Sequence, residues 1–303
     1  MKRSGANTNR DVLSAVNPVI AFIFFAFALI MPMLLLHPVL LGISFCTGTV
    51  WLFCLRGRKA LGLLLKFVLP VMLLTAILNP LFNHEGVTIL FYLRDNPVTL
   101  ESILYGCASA AMLGSVVIWF ACFNAIFTAD KIVYLTGRLA PSLSLVIAMA
   151  LRFVPLFTAQ AKRISLAQRG AGMSTSGGNI IKRAKNGLSI LSGLITWALE
   201  SSVTTADSMR ARGYGLHPRR SFANYRFDGR DAAVGIALAV GILLSGLAAG
   251  FRIFSVRFFP SYRMNALTPL FFLACAAYAL TLLLPTILNI EEALKWRSLR
   301  SEV

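Results

Sequence analysis

Two arginines are the residues best placed to do chemistry in this 303-residue chain. Arg169 stands in Gln168-Arg169-Gly170-Ala171-Gly172 and Arg212 in Ala211-Arg212-Gly213-Tyr214-Gly215, so each belongs to an Arg-Gly-X-Gly stretch that closes a long helical pattern. Glycine falls where a helix must end, because a left-handed C′ residue costs least without a Cβ. The arginine then occupies the last turn, where unpaired carbonyls and the negative end of the macrodipole favour a cation. Its guanidinium projects beyond the helix as a planar, permanently charged fork. The chemistry open to such a fork is charge-assisted, bidentate docking onto a carboxylate. A single Arg-Gly ending is common in any basic loop. Two copies, each closing a helix of similar length, read as a pair of prongs for two similar receptacles.

Bond-making chemistry has no comparable foothold. The chain contains no Gly-x-x-x-x-Gly-Lys loop to cradle phosphates and no carboxylate pair at working distance within one segment. His37, His84 and His217 are too scattered for a triad or a ligand pair. Cys46, Cys54, Cys107, Cys122 and Cys275 all fall in apolar runs without metal-ligand spacing, and read as small buried hydrophobes. No catalytic residue, cofactor or metal is expected, so any energy must arrive from a partner.

The elements that position the two arginines follow from composition. With 57% hydrophobic residues and several apolar runs near twenty residues long, the chain reads as an all-α polytopic membrane protein. Its formal charge of +17 comes from 29 basic and 12 acidic residues, an excess suited to cytoplasmic loops beside anionic lipid or acidic partners. No basic soluble domain is available to bind nucleic acid. About six transmembrane helices are expected: 18–36, 38–55, 60–79, 102–127, 232–250 and 266–290. Residues 1–127 form an N-terminal transmembrane part and 232–303 a C-terminal one with an amphipathic tail. The basic leader and the Arg56-Gly57-Arg58-Lys59 loop place the first hairpin's ends in the cytoplasm, and an even number of crossings puts both termini there. Lys66 reads as a snorkelling anchor, and the loop 80–101 as an outside segment with a short interfacial piece around 88–93. The Gly-, Ala- and Ser-rich run 102–127 should be packed by neighbouring helices.

Residues 128–231 are unlike the rest, with 15 Lys or Arg against 5 Asp or Glu, and are expected in the cytoplasm. A short amphipathic helix, 130–139, ends at Ala140-Pro141. A long helical pattern, 142–170, spans about 42 Å at 1.5 Å per residue, and Pro155 predicts a kink in it. Its first half is apolar enough to enter the bilayer, Arg152 argues against a full crossing, and the half beyond Pro155 is amphipathic and suited to the membrane surface. A connector, 171–179, leads to a second long helix at about 186–212. Nearly every residue between Ser201 and Ser208 is small, which predicts a close crossing against 165–167 of the first helix.

These residues carry a resemblance. Arg152-Phe153-Val154-Pro155 leading to Ala167-Gln168-Arg169-Gly170, then Glu200 through Ala206-Asp207-Ser208-Met209 to Ala211-Arg212-Gly213-Tyr214, is similar to the transmembrane T component of energy-coupling factor (ECF) transporters, the cobalt-permease-like family. It covers about residues 120–214 strongly. Gln168 stands where the family more often has Ala. The resemblance implies long crossed cytoplasmic coupling helices whose X-Arg-X motifs, Gln168-Arg169-Gly170 and Ala211-Arg212-Gly213, engage two ABC-type ATPase subunits. It also implies a separate substrate-binding membrane S component, uptake of a vitamin or metal ion, and residence in a bacterial or archaeal plasma (inner) membrane. Of the supporting residues, Arg152 serves either as a functional intramembrane charge or as a helix-positioning snorkel. Glu200 is expected to pair with Arg163 or Lys162, and Tyr214 to pack beside Arg212.

Two other classes compete. A self-sufficient secondary transporter would show paired inverted repeats with broken helices, for which only the prolines of the last span speak. A membrane-embedded enzyme would need acidic or histidine clusters near one membrane face. Copurification of two ATPases and a small membrane protein would separate the first reading from these.

Overall fold

The structure, a computed structural model, describes residues 12–93, 96–172, 179–216, 225, 227–265 and 268–301. The leader as far as residue 11, most of the connector after Gly172, and His217 lie outside the described residues. Two compact units are present: residues 1–128 with 225–303, and residues 129–224.

The first unit holds α1 (Val12–Ala15), α2 (Pro18–Leu34), α3 (Pro38–Arg56), α4 (Lys59–Leu63), α5 (Leu69–Phe82), α6 (Leu100–Ile126), α10 (Gly229–Gly250) and α11 (Pro269–Ser301). Three of these helices start on a side-chain cap. Asn17 accepts from the Val19 amide at 3.1 Å, His37 Nδ1 from the Val39 amide at 3.3 Å, and Thr99 from the Ser102 amide at 3.3 Å. Pro18 and Pro38 follow their caps directly, where a missing N–H and a fixed φ suit the first turn.

The core of this unit is aromatic. Trp51, Trp119, Phe24 and Phe25 are buried and meet ring to ring, Phe25 stacked on Trp51 at 5.4 Å and Phe24 edge-on to Trp119 at 5.7 Å. Trp119 Nε1 donates to Ser44 Oγ at 3.0 Å, so its polar edge is satisfied inside. Helix α6 packs against α2, α3 and α5, as its small residues predict. At Gly106 an added Cβ would stand 3.0 Å from the Ala76 carbonyl oxygen of α5, and at Gly48 another would stand 3.1 Å from Ile118 of α6. Between α10 and α11, Gly241 allows the same close approach to Thr281.

Several expectations change in detail. Among the described residues six helices are long and apolar enough to cross a membrane, but they include Ser142–Gly170 and omit Pro18–Leu34. One arginine is too little polarity to disqualify the former, and the latter, 17 residues long, sits at the short end of the range for a crossing, about 17–25 residues. The run around Lys66 is interrupted by a π-helical turn, Leu64–Val68. Pro70 cannot donate to the Lys66 carbonyl, and Leu69 donates instead to Leu64, one residue further back than an α-helix requires. The predicted interfacial piece is a β-hairpin, β1 (Ile89–Leu93) with β2 (Asn96–Thr99). It is tied to α6 by Glu101, which accepts from the Thr88 hydroxyl at 2.8 Å and from the Thr88 amide. Of the five cysteines only Cys122 and Cys275 are buried; Cys46, Cys54 and Cys107 lie on outward helix faces. Helix α11 runs unbroken through Pro285.

The second unit consists of α7 (Ala129–Leu139), α8 (Pro141–Gly170) and α9 (Ile180–Ala211). Ser144 Oγ donates to the Val133 carbonyl at 2.8 Å, fastening α7 to the start of α8. Helix α9 begins six residues earlier than expected, at a cap where Asn179 Oδ1 accepts from the Ile180 amide at 2.8 Å. Lys182, Arg183 and Lys185 are therefore helical.

Candidate functional site

Helices α8 and α9 run antiparallel, and three contacts fix their register. Gln168 Nε2 donates to Ser189 Oγ at 2.9 Å; Ile164 lies against Gly193, where a Cβ would sit 3.7 Å away; and Phe157 meets Trp197 edge-on at 5.8 Å. The small stretch 201–208 accordingly faces the first half of α8. The expected crossing of 201–208 against 165–167 is thus corrected: Gln168, next to that segment, lies level with Ser189, and Ser201 and Ser208 share a cleft with Leu145, Arg152 and Phe153 instead. Small side chains permit a close contact, but here they leave a cleft.

The pair ends where the arginines are. Helix α9 closes in a Schellman arrangement: the Gly213 amide donates to the Arg210 carbonyl and the Tyr214 amide to the Met209 carbonyl, both at 3.0 Å, with Gly213 at φ +80°. Arg212 is the C-cap residue, and Ala211 before it is the last helical one. Both are exposed. Helix α8 ends differently. Gly170 is still helical, Ala171 is the cap, and Gly172, at φ +79°, is the left-handed residue, its amide donating to the Arg169 carbonyl at 3.1 Å. Gly170 is therefore not the terminating glycine that the motif suggested. Measured from the left-handed residue, Arg169 corresponds to Arg210, and Arg212 sits two places nearer the end. The exposed guanidinium-bearing positions lie at opposite ends of the pair, with roughly 35 Å of helix between Ser189, which touches Gln168, and Arg212.

The remaining candidates have distinct placements. Gln168 faces α9, so the residue that departs from Ala clamps the two helices together. Arg152 is exposed and lines the cleft with Arg212. Pro155 lies within an unbroken helix, and its carbonyl accepts from the Thr158 hydroxyl at 2.8 Å. Tyr214 supplies the closing amide of the Schellman motif, its side chain 48% exposed. Glu200 is exposed and, among the described residues, pairs with neither Lys162 nor Arg163. The antiparallel register puts it level with the Phe157 region, more than a turn from both. The ion pair Arg230–Glu292 at 2.7 Å, joining α10 to α11, has no signature in the sequence because its partners are 62 residues apart.

Long apolar helices around an aromatic core, joined to a unit of three helices bearing exposed arginines at its ends, define an all-α polytopic membrane protein with a basic helical appendage. The family profile described as CbiQ, cobalt transport protein, matches residues 9–222. The energy-coupling factor transporter transmembrane protein EcfT of Acidaminococcus fermentans is 30% identical over 241 residues, covering 74% of this chain and 88% of the relative. EcfT of Staphylococcus aureus is 26% identical over 208 residues, 64% of this chain and 78% of the relative. EcfT of Leuconostoc gelidum is 32% identical over 160 residues, half of this chain and 59% of the relative. The chain belongs to the CbiQ family, the transmembrane T components of ECF transporters.

Proposed function

We propose that the chain is the energy-transducing, non-catalytic subunit of an ECF-type ABC importer. In this reading Arg169 and Arg212 each dock onto acidic groups of one of two ABC-type ATPase subunits. Gln168 and Gly170 shape the first contact, and Ala211 and Gly213 the second. Closure of the ATPases pulls the two ends of the α8–α9 pair, and the pair passes that motion to a substrate-binding membrane S component carrying a vitamin or a metal ion. The basic unit 129–224, within the predicted coupling region 128–231, lies on the cytoplasmic side of a bacterial or archaeal plasma membrane, and both termini lie there too. The flanking segments 1–127 and 232–303 supply the transmembrane helices: Pro18–Leu34, 17 residues long, crosses as the sixth of them, and the apolar first half of α8 lies along the inner membrane surface without crossing.

The observation that carries this reading is the antiparallel pair itself: two helices of 30 and 32 residues, each with an exposed arginine next to its last helical residue. A guanidinium fork at a capped helix end is preorganised for a carboxylate, and lysine would lose the bidentate geometry. The test is coexpression with the partner subunits, using the Arg169→Glu, Arg212→Glu double variant. Loss of ATPase copurification and of ATP-driven uptake, with the variant still inserted in the membrane, is the expected outcome. ATPases retained and uptake intact would refute the assignment.

A further inference from the structure

Between Asp231 and Glu291 the chain has no acidic residue, yet it carries Arg252, Arg257 and Arg263. All three lie in the connection between α10 and α11, and all three are exposed. The connection folds as a short antiparallel hairpin, β3 (Val256–Arg257) with β4 (Arg263–Met264). In it Arg257 is the direct partner of Arg263, so two guanidinium groups rise from the same face of the ribbon. Directly opposed like charges weaken a strand pair. Among the described residues neither arginine has an ion pair or a side-chain hydrogen bond to relieve this. The hairpin is nevertheless held firmly from beneath. Phe258 is buried against Leu41 and Ala108, its ring 5.4 Å from Tyr105 and 5.8 Å from Tyr262. Asn265 Nδ2 closes the base by donating to the Arg252 carbonyl at 2.8 Å.

Two forks whose Cβ atoms stand about 5 Å apart suit a single anion that accepts from both, and a phosphodiester does so. The height of the hairpin selects its source. Strand β3 begins six residues after α10 ends and β4 closes five residues before α11 starts, and both helices are long and apolar enough to cross a membrane. Arg257 and Arg263 therefore stand at the level of lipid headgroups, while Phe251 and Leu270, exposed at the adjoining helix ends, offer apolar surface to acyl chains. We infer that the Arg257–Arg263 pair clamps the phosphate of one anionic phospholipid. His37, which lies beside Phe254 of the same connection, opens α3, and the other end of α3 leads into Arg56-Gly57-Arg58-Lys59. The lipid thus belongs to the leaflet opposite that basic loop. In the orientation proposed above this is the outer leaflet, and the clamp then accounts for arginines on the face that membrane proteins keep poor in them. The clamp itself depends neither on that orientation nor on the ATPase contacts.

The test places the full chain in nanodiscs of dioleoyl phosphatidylcholine that contain a small share of phosphatidylglycerol with a photoreactive headgroup, and maps the captured peptides by mass spectrometry. Capture within residues 252–265 is expected, reduced about tenfold by excess dioleoyl phosphatidylglycerol. Arg257→Gln and Arg263→Gln should each remove it, and Arg257→Lys should keep part of it. Capture at the Arg56-Gly57-Arg58-Lys59 loop should stay the same in every variant and serves as the internal standard. Amide exchange across β3 and β4 gives a second readout, of opposite sign in the two conditions. In lipid-free detergent Arg257→Gln should slow exchange, because like charges no longer oppose each other; with phosphatidylglycerol added, the unaltered chain should gain more protection than the variant. A purely structural arginine would show no such reversal. Hairpin capture that is equal with a phosphatidylcholine probe, or unchanged in both glutamine variants, overturns the inference. So does displacement by millimolar glycerol 3-phosphate, which would assign the pair to a soluble anion, or capture that is lost whenever partner membrane subunits are bound, which would assign it to an acidic protein segment.

Discussion

The helices around Trp119 and the helices ending in Arg169 and Arg212 treat their side chains in opposite ways. In the first unit, half of the apolar stretch of α6 is buried, and Trp51, Trp119, Phe24 and Phe25 form a closed aromatic centre. In the second, none of the apolar stretch of α8 is buried, and α9 buries only Asn186 among its described residues. Val154, Leu199 and Val203 are each about 60% exposed. The difference separates a unit that buries its apolar surface within itself from one that leaves it exposed, as the proposed lever requires. Stability should therefore be sensitive to the one, and association to the other.

The largest expected contrast lies in truncating one aromatic ring from each unit. Trp119→Ala removes a fully buried ring and its hydrogen bond to the Ser44 hydroxyl, a loss of about 3–5 kcal/mol. Phe157→Ala loses a partly buried ring, its stack on Phe153 and its edge contact with Trp197, about 1–2 kcal/mol. Thermal unfolding of the full chain in detergent would show the first variant melting far earlier than the second. Similar losses would erase the distinction.

A smaller effect sharpens the comparison between the two helix ends. Gly213→Ala forces a Cβ into a left-handed residue and to within 3.1 Å of Leu216, at a cost of about 1–2 kcal/mol. Gly170→Ala, at a helical position with open space around it, should be neutral or stabilise the helix by about 0.5–1 kcal/mol. Local hydrogen exchange of the two termini measures both. If the two substitutions behaved alike, the assignment of Gly172, not Gly170, as the terminating residue of α8 would be wrong.

Those helix ends also show what a sequence can disclose. Arg-Gly marked both termini, but Arg169-Gly170-Ala171-Gly172 offers two glycines, and the choice depends on whether the Ala171 amide continues the ladder to Ala167, which it does. The small residues 201–208 were legible as unusual, but not as the wall of a cleft, because the register of α9 on α8 is set elsewhere, by Gln168, Ile164 and Trp197. The π-turn was legible in principle from Pro70. The burial of Glu101 beneath the hairpin was not, since its partner Thr88 sits in a segment that reads as a loop. The family profile stops at residue 222, so α10 and α11 lie outside the profile match.

The smallest effect is a pH dependence confined to the scaffold. His37 is buried, its Nδ1 accepts from the Val39 amide and its ring lies 5.0 Å from Phe271, so burial holds its pKa below the ordinary 6.5. Folded His37 stays neutral while the unfolded chain takes up a proton. Its contribution to stability is full above about 6.5 and is lost as pH falls from there through the depressed folded value. Melting temperatures from pH 8 to 5 should decline on acidification, and His37→Asn, which keeps a capping acceptor, should flatten the decline. An unchanged slope in that variant would place the sensitive group elsewhere.

The two-ended lever is tested most directly by photo-crosslinking in native membranes, with a photoreactive residue at position 169 or 212 in otherwise intact chains. The account predicts that each position, alone, captures an ATPase subunit on the cytoplasmic side. Capture of lipid only at both positions, or labelling from the outer face, would contradict it.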